Sequence, residues 1–371
     1  MNVEQQMHPM DFNRDVHCLL GLPFDSTTMT DIVCHVREAA VNRKPCFIST
    51  PNLNFLITCL TDNAFRDSVL ESNLSIADGM PIVWIAKLLG IPILERVPGS
   101  DMFEHLRGIK DDPIKVYFFG GMDGVAKMAC DNLNAESAGL VCVGFDSPGF
   151  GTIEAMSSDE ILDKINASGA DFLVVSLGAQ KGQAWITRNR PFLKVPVISH
   201  LGAVVNFVAG NIQRAPKQVQ KIGMEWLWRI YQEPKLWSRY LKDGLCLSQL
   251  LVCKILPYAI WIRFKNKSLD DSNPIGLTFI EDNEVGVTIK LSGNCTRKSI
   301  IDLKHKINVL ALTHNSFYLD LEQVPVIDSA FIGLCLLLYR YTTLQGGKLA
   351  LLNVNQRNKK IIRWNCAQFL L

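Results

Sequence analysis

The sequence predicts an α/β protein built on a mainly parallel sheet covered by helices. Three observations carry the prediction. From Val16 to Ser199 short apolar runs alternate with amphipathic runs, the pattern of strands joined by helical crossovers. Runs such as Leu140–Phe145 and Phe172–Leu177 are apolar almost throughout, as strands buried on both faces must be. Three polar strings, Thr50-Pro51-Asn52-Leu53-Asn54, Ala77-Asp78-Gly79-Met80 and Glu95-Arg96-Val97-Pro98-Gly99-Ser100-Asp101, stand where extended runs give way to turns or helix starts. Open parallel sheets present ligand-binding groups there.

The elements follow in order. Cys46–Thr50 reads as a strand, with a helix from Asn54 to Leu70. Leu74–Ala77 is a second strand, and Pro81–Leu89 has helical spacing. Lys115–Phe119 runs into Gly120-Gly121, and Val125–Leu133 is helical. Ser157 and Glu160 have capping-box spacing ahead of Ile161, Leu162 and Ile165. Residues 202–243 are helical in tendency, aromatic and rich in Arg and Lys.

Asn266–Pro274 is polar and turn-forming, which marks a domain boundary. Beyond it Gly286–Leu291, Ser316–Asp320 and Lys348–Leu352 read as strands, with helices over Lys298–Leu312 and Ala330–Leu344. The expected division is a polar segment over 1–15, a first domain over 16–243, an apolar segment and linker over 244–274, and a small α/β domain over 275–371.

Composition excludes several classes. A length of 371 residues allows two domains, and a formal charge of +2 argues against wholesale nucleic-acid binding. Met1–Val16 has no apolar core for a signal peptide. Eleven cysteines without a Cys-x-x-Cys pair favour reduced thiols in a cytosolic protein. Leu245–Ile262 is apolar apart from Ser248, Gln249 and Lys254, with basic flanks at Lys242, Arg263, Lys265 and Lys267. A buried helix between domains and docking on a membrane surface account for it equally; a spanning helix fits less well, because Lys254 and Pro257 fall inside it.

Gly120, Gly121 and Gly124 follow a strand and open a helix, as a phosphate-binding turn does. Phe119 stands where the first glycine of a dinucleotide fingerprint belongs, which disfavours an oxidoreductase. Asp78 is an isolated carboxylate between a strand and Gly79, placed as a helix cap or as a general base. No Asp-x-Asp pair precedes residue 244. One base with cationic side chains in place of a metal is a coherent alternative.

Residues 19–240 resemble the WecG/TagA/CpsF family of bacterial glycosyltransferases. The likeness rests on the three strings and on Phe118-Phe119-Gly120-Gly121, Val174–Gly178, Trp185 to Arg190, Arg214-Ala215-Pro216, Glu225-Trp226-Leu227-Trp228-Arg229 and Glu233-Pro234. It implies a Rossmann-like sheet with a helical C-terminal appendage. It also implies transfer of an N-acetylmannosamine-type sugar or related hexose from a UDP-sugar to a polyprenyl-diphosphate-linked sugar, with inversion and without metal or cofactor. Asp78 matches the family's base. Thr50, Asn52 and Asn54 match the substrate pocket, and Arg96 the arginine near the leaving diphosphate. Gly120, Gly121 and Gly178 belong to further matching strings, Lys181 and Gln183 to the string after Gly178, all as substrate-binding candidates, and Arg214, Arg229 and Arg239 are the candidates for the appendage's diphosphate contacts.

Two places depart from the pattern. The family's Gly-x-Pro-Lys-Gln-Glu is here Gly178-Ala179-Gln180-Lys181-Gly182-Gln183, and Asn206 replaces an aspartate. The place of the family's glutamine, a contact to nucleotide or sugar, falls to Gly182. The likeness implies a cytoplasmic protein on the inner face of the membrane, in surface polysaccharide synthesis. The altered string also motivates a rival reading, a non-catalytic nucleotide-sugar scaffold or sensor.

Residues 275–371 resemble a STAS domain through Leu319-Asp320-Leu321, Val326-Ile327-Asp328-Ser329-Ala330, Gly333 and Gly346-Gly347. That likeness implies a protein partner. Ser329 matches the serine phosphorylated in regulatory members, although Asp328-Ser329 also reads as a plain helix cap.

Overall fold

Apolar runs long enough for buried strands leave their backbone groups one outlet, pairing with one another. Such pairing orders the computed structural model, which describes residues 11–149, 151–265, 276–283 and 286–371. A short hairpin comes first, β1 (Val16–Leu19) and β2 (Leu22–Asp25). Then come β3 (Cys46–Ser49), β4 (Leu74–Ser75), β5 (Ile114–Gly120), β6 (Leu140–Asp146), β7 (Phe172–Ser176) and β8 (Val197–His200). These six form one sheet in the order β4-β3-β8-β7-β5-β6, and every pairing in it is parallel. β3 leads outward to β4 on one side and β5 outward to β6 on the other. Their carboxyl ends therefore border the crevice where such sheets bind ligands.

A second sheet comprises β9 (Gly276–Asn283), β10 (Gly286–Ser292), β11 (Phe317–Gln323) and β12 (Leu349–Leu352), ordered β12-β11-β10-β9. β9 is antiparallel to β10 and the other pairs are parallel. The buried helix Ser329–Leu344 begins after Asp328, whose carboxylate accepts from the Ala330 and Phe331 amides.

The structure corrects several expectations. The helix foreseen over 54–70 is two helices, Leu53–Cys59 and Asn63–Leu70, because Asp62 caps the second by accepting from Phe65 N. Ser158, not Ser157, caps the helix Asp159–Ala167. The hairpin, β8, β9 and the helix Gln356–Trp364 were not foreseen. Of the expected linker, residues 266–274 lie outside the described residues, as do residues 1–10 of the polar N-terminal segment. Nine cysteines are free, but Cys130 and Cys142 form a disulfide, since the helix Val125–Glu136 lies against β6 with their Cα atoms 5.2 Å apart.

Residues 234–264 form one long helix, apolar and long enough by length and composition to cross a membrane. A π-helical turn over Leu251–Ile255 precedes Pro257, a common accommodation of a residue that lacks an N–H. Ile255, Tyr258 and Ala259 are buried. Trp237, Leu241, Leu245, Val252, Leu256, Ile260 and Phe264 are exposed, at spacings of four and seven that keep them on one stripe.

The hairpin joins the two sheets. β1 lies along the helix Ser329–Leu344 so closely that a Cβ added at Gly333 would sit 2.4 Å from the Val16 carbonyl oxygen. Around that seam Ser329 Oγ meets His17 Nδ1 at 3.0 Å, and Lys304 Nζ donates to the Arg14 carbonyl at 2.9 Å. Buried Arg340 pairs with buried Glu71. On the side of the large sheet Asp25 binds Arg14 through both oxygens, at 3.0 and 2.7 Å. It also accepts from Ser75 N of β4 at 2.7 Å. The second sheet is thereby tied, through one hairpin, to the strand that leads into Asp78.

Alanine at 333 gains about 1 kcal/mol in helix propensity, yet a backbone carbonyl has no rotamer with which to yield. Gly333→Ala is expected to lower stability by about 1–3 kcal/mol, the usual cost of overpacking. Urea unfolding of the full chain measures it, and an unchanged midpoint would contradict so close a seam.

Candidate active site

The three polar strings converge because β3 and β4 are neighbours. Ile76 N donates to Ser49 O, Asp78 N to Pro51 O and Val97 N to Ala77 O, at 3.0, 3.0 and 2.9 Å. Buried Thr50 packs its methyl against Gly99, where an added Cβ would lie 3.1 Å away. Asn52 caps the helix Leu53–Cys59 by accepting from Phe55 N at 3.2 Å. Gly79, at φ +159°, carries the chain from Asp78 past Asn52 into the helix Met80–Leu89.

Asp78 is half-buried, and loss of hydration pushes its carboxyl pKa up to about 7. Arg96 opposes that shift; the carboxylates of Glu225 and Asp101 add to it, and Arg229 opposes it. These groups come from two segments far apart in sequence. Arg96 Nη1 donates to Glu225 Oε2 at 2.8 Å, and its Nη2 lies 3.5 Å from Asp101. Arg214 pairs with Asp101 and donates to Ser100 Oγ at 3.1 Å. The guanidiniums of Arg214 and Arg229 stand 5.5 and 5.6 Å from the Phe207 ring. The Nε of each is buried without a partner. Residues 212–233 thus lie against the third string through Arg214 and Glu225.

Other expected site residues stand apart from this cluster. Asn54 is committed to the long helix, donating to both oxygens of Asp243 at 3.3 and 3.2 Å. Arg239 lies over the ring of its neighbour Tyr240, outside the arginine cluster. Lys181 donates to the Gly151 carbonyl at 3.0 Å. Gly120 and Gly121 take φ of +105° and +87°, and Gly121 N donates to Ser176 O, so turn geometry accounts for them. Gly178 caps the helix Ala179–Asn189 with open space beside it. Gln183 is fully buried on that helix. Ser329 is 7 % exposed, covered by β1.

Sequence reasoning placed Asp101 and Glu225 in its strings without a role, although they hold the arginines, and missed His200 at the end of β8. The last had a signal. Like Thr50, His200 is a polar residue at the close of an apolar run.

Residues 17–258 match the model of the glycosyl transferase WecG/TagA/CpsF family. The chain belongs to this family. It is similar to the N-acetylglucosaminyldiphosphoundecaprenol N-acetyl-β-D-mannosaminyltransferase of Bacillus spizizenii, 27 % identical over 59 % of this chain and 84 % of that protein. Proteins of the same name from Bacillus subtilis strain 168 and Staphylococcus aureus strain MW2 are 23 % and 24 % identical, each over 60 % of this chain and 85 % of their own length. As a member of a glycosyltransferase family the chain is an enzyme, and the matched region holds the three strings and the residues that lie against the third.

Removing Arg96 takes away the largest opposing charge. In Arg96→Ala the Asp78 carboxyl is expected to titrate above its value of about 7 in the intact protein. Carboxyl-carbon NMR reads both titrations, and an unchanged midpoint would separate the two groups.

Proposed function

We propose that this glycosyltransferase moves an N-acetylmannosamine-type or related hexose from a UDP-sugar to a polyprenyl-diphosphate-linked sugar. The proposed setting is surface polysaccharide synthesis, with inversion and no metal. One observation carries the reading: a half-buried carboxylate, Asp78, stands in the field of Arg96 and Arg229. The names of the similar proteins supply the acceptor class.

In this scheme Asp78 takes the proton from the acceptor hydroxyl. That oxygen bonds to the anomeric carbon as the bond from the anomeric carbon to the diphosphate breaks, and UDP leaves with the electron pair. A base with a pKa of about 7 is matched to neutral operation. Arg96, Arg214 and Arg229 take up the charge growing on the diphosphate, as fixed donors do most effectively away from water. At rest Asp101 and Glu225 occupy Arg96 and Arg214, so the diphosphate binds by displacing carboxylates.

Activity should appear as UDP release from a UDP-sugar only with lipid-diphosphate acceptor, and it should persist in EDTA. Asp78→Asn should remove turnover while leaving the thermal midpoint in place. Full activity of that variant would refute the assignment of the base.

A lipid-linked acceptor also calls for a place at the membrane. The exposed stripe from Trp237 to Phe264, flanked by Arg239, Lys242 and Arg263, supports a helix lying on the inner leaflet of the cytoplasmic membrane. The intact protein should pellet with anionic vesicles, and Leu245→Glu with Val252→Glu should release it. An intact protein that leaves the vesicles unbound would argue against this placement.

The parallel β10, β11 and β12 with their intervening helices support the STAS-like reading of the C-terminal domain. Modification of Ser329 in the assembled chain would require the hairpin to lift.

A further inference from the structure

A polar slot beneath the helix Ala179–Asn189 has no role in the scheme above. His200 closes β8, and its ring fills the space beside Gly182, where an added Cβ would lie 2.1 Å from His200 Cδ2. On another side the ring meets Gly202, where an added Cβ would lie 3.2 Å from Cε1. Any side chain at 182 would collide with the imidazole. The glycine thus gives the slot to His200.

The chemistry of the ring is settled by its neighbours. Nε2 lies 2.5 Å from the Leu177 carbonyl oxygen, which can only accept, so Nε2 carries the proton. Burial lowers the imidazole pKa and keeps the ring neutral. Nδ1 is then a bare acceptor, on the edge of the ring away from Gly182, with no hydrogen bond among the described residues.

A second unpaired group lies beneath the same helix. Gln183 is 0 % exposed; its Nε2 donates to Ser49 Oγ at 3.3 Å, and its Oε1 has no partner. Turning the amide over would leave the nitrogen unpaired instead, so one atom lacks a partner in either orientation. Ile48 faces Ser199 across the β3–β8 pair. Ser49 and His200 are the next positions on both strands, and their side chains share the face covered by Gly182 and Gln183. Buried polar groups of native proteins are rarely left unpaired, and exceptions call for a ligand or water.

We propose that His200 and Gln183 form a subsite for the uncharged half of the glycosyl donor, with His200 Nδ1 accepting from one of its hydroxyl or N–H groups. This rests on the donor reading given above. His200 Nδ1 is an acceptor in an uncharged setting, which fits O–H and N–H groups and not phosphate. The arginine cluster supplies the opposite chemistry for the diphosphate. His200 becomes a specificity-determining residue of this chain.

Calorimetry of the full-length protein with UDP and with UDP-N-acetylmannosamine tests the subsite. His200→Phe and His200→Leu remove the acceptor, whereas His200→Asn keeps one near the position of Nδ1. Loss of one hydrogen bond should weaken affinity about tenfold in the Phe and Leu variants, with the Asn variant retaining most of it. Thermal midpoints identify which variants are folded, and either acceptor-free variant suffices. Weaker binding of both ligands places the nucleoside in the slot; weaker binding of the UDP-sugar alone places the sugar there. Equal affinity of all folded variants would overturn the subsite and leave the donor reading standing. An intact protein that binds neither ligand would overturn both.

Discussion

The parallel pairing of β3 with β4 on one side and β8 on the other is the constraint on which the site depends. It brings the ends of three strands to one edge, although β8 lies more than a hundred residues beyond β3 and β4. Thr50, Asp78 and His200 follow from those ends. Once the strands are paired, the hydrogen bonds from Asp78 N to Pro51 O and from Val97 N to Ala77 O leave the strings little freedom. Positioning here comes from backbone ladders, which hold a reacting group more firmly than loops do.

The edge is divided electrically. On one side Arg96, Arg214 and Arg229 gather against Asp101 and Glu225, so positive charge is held ready and balanced by carboxylates that a diphosphate can replace. On the other, beneath the helix Ala179–Asn189, the groups are neutral: His200 Nδ1 is an acceptor, and one amide atom of Gln183 has no partner. A nucleotide sugar has the same division, with anionic phosphates between neutral rings. Asp78 senses the first region directly: burial raises its pKa, and the nearby charges set how far.

The C-terminal sheet is not an appendage on a tether alone. Its long buried helix receives β1 at Gly333, and Arg340 with Glu71 and Ser329 with His17 stitch the seam. The hairpin continues the path through Asp25 to Ser75 N, three residues before Asp78. Removing either charge of so buried a pair leaves the other uncompensated, so the seam is specific as well as close.

Much of the fold was legible in the chain itself. Continuous apolar runs, turn glycines and polar strand endings determined the α/β class, most strands of the large sheet and the three strings, because these are local consequences of burial and backbone geometry. The hairpin escaped, since Leu20-Gly21 is not among the strongest turn pairs; Leu20 takes φ +49° in a turn whose first strand lies against the helix Ser329–Leu344. Asn52 reads identically in sequence whether it caps a helix or binds substrate. Asn54 and Arg239 looked as eligible as Arg214 until packing assigned them to Asp243 and Tyr240. The sequence by itself determined which groups are available at each strand end. Only the tertiary structure decided which of them meet: Asp78 with Arg96, and His200 with the space left by Gly182. Pairing between distant segments depends on strand order and on the volume each side chain fills, and neither is written in local pattern.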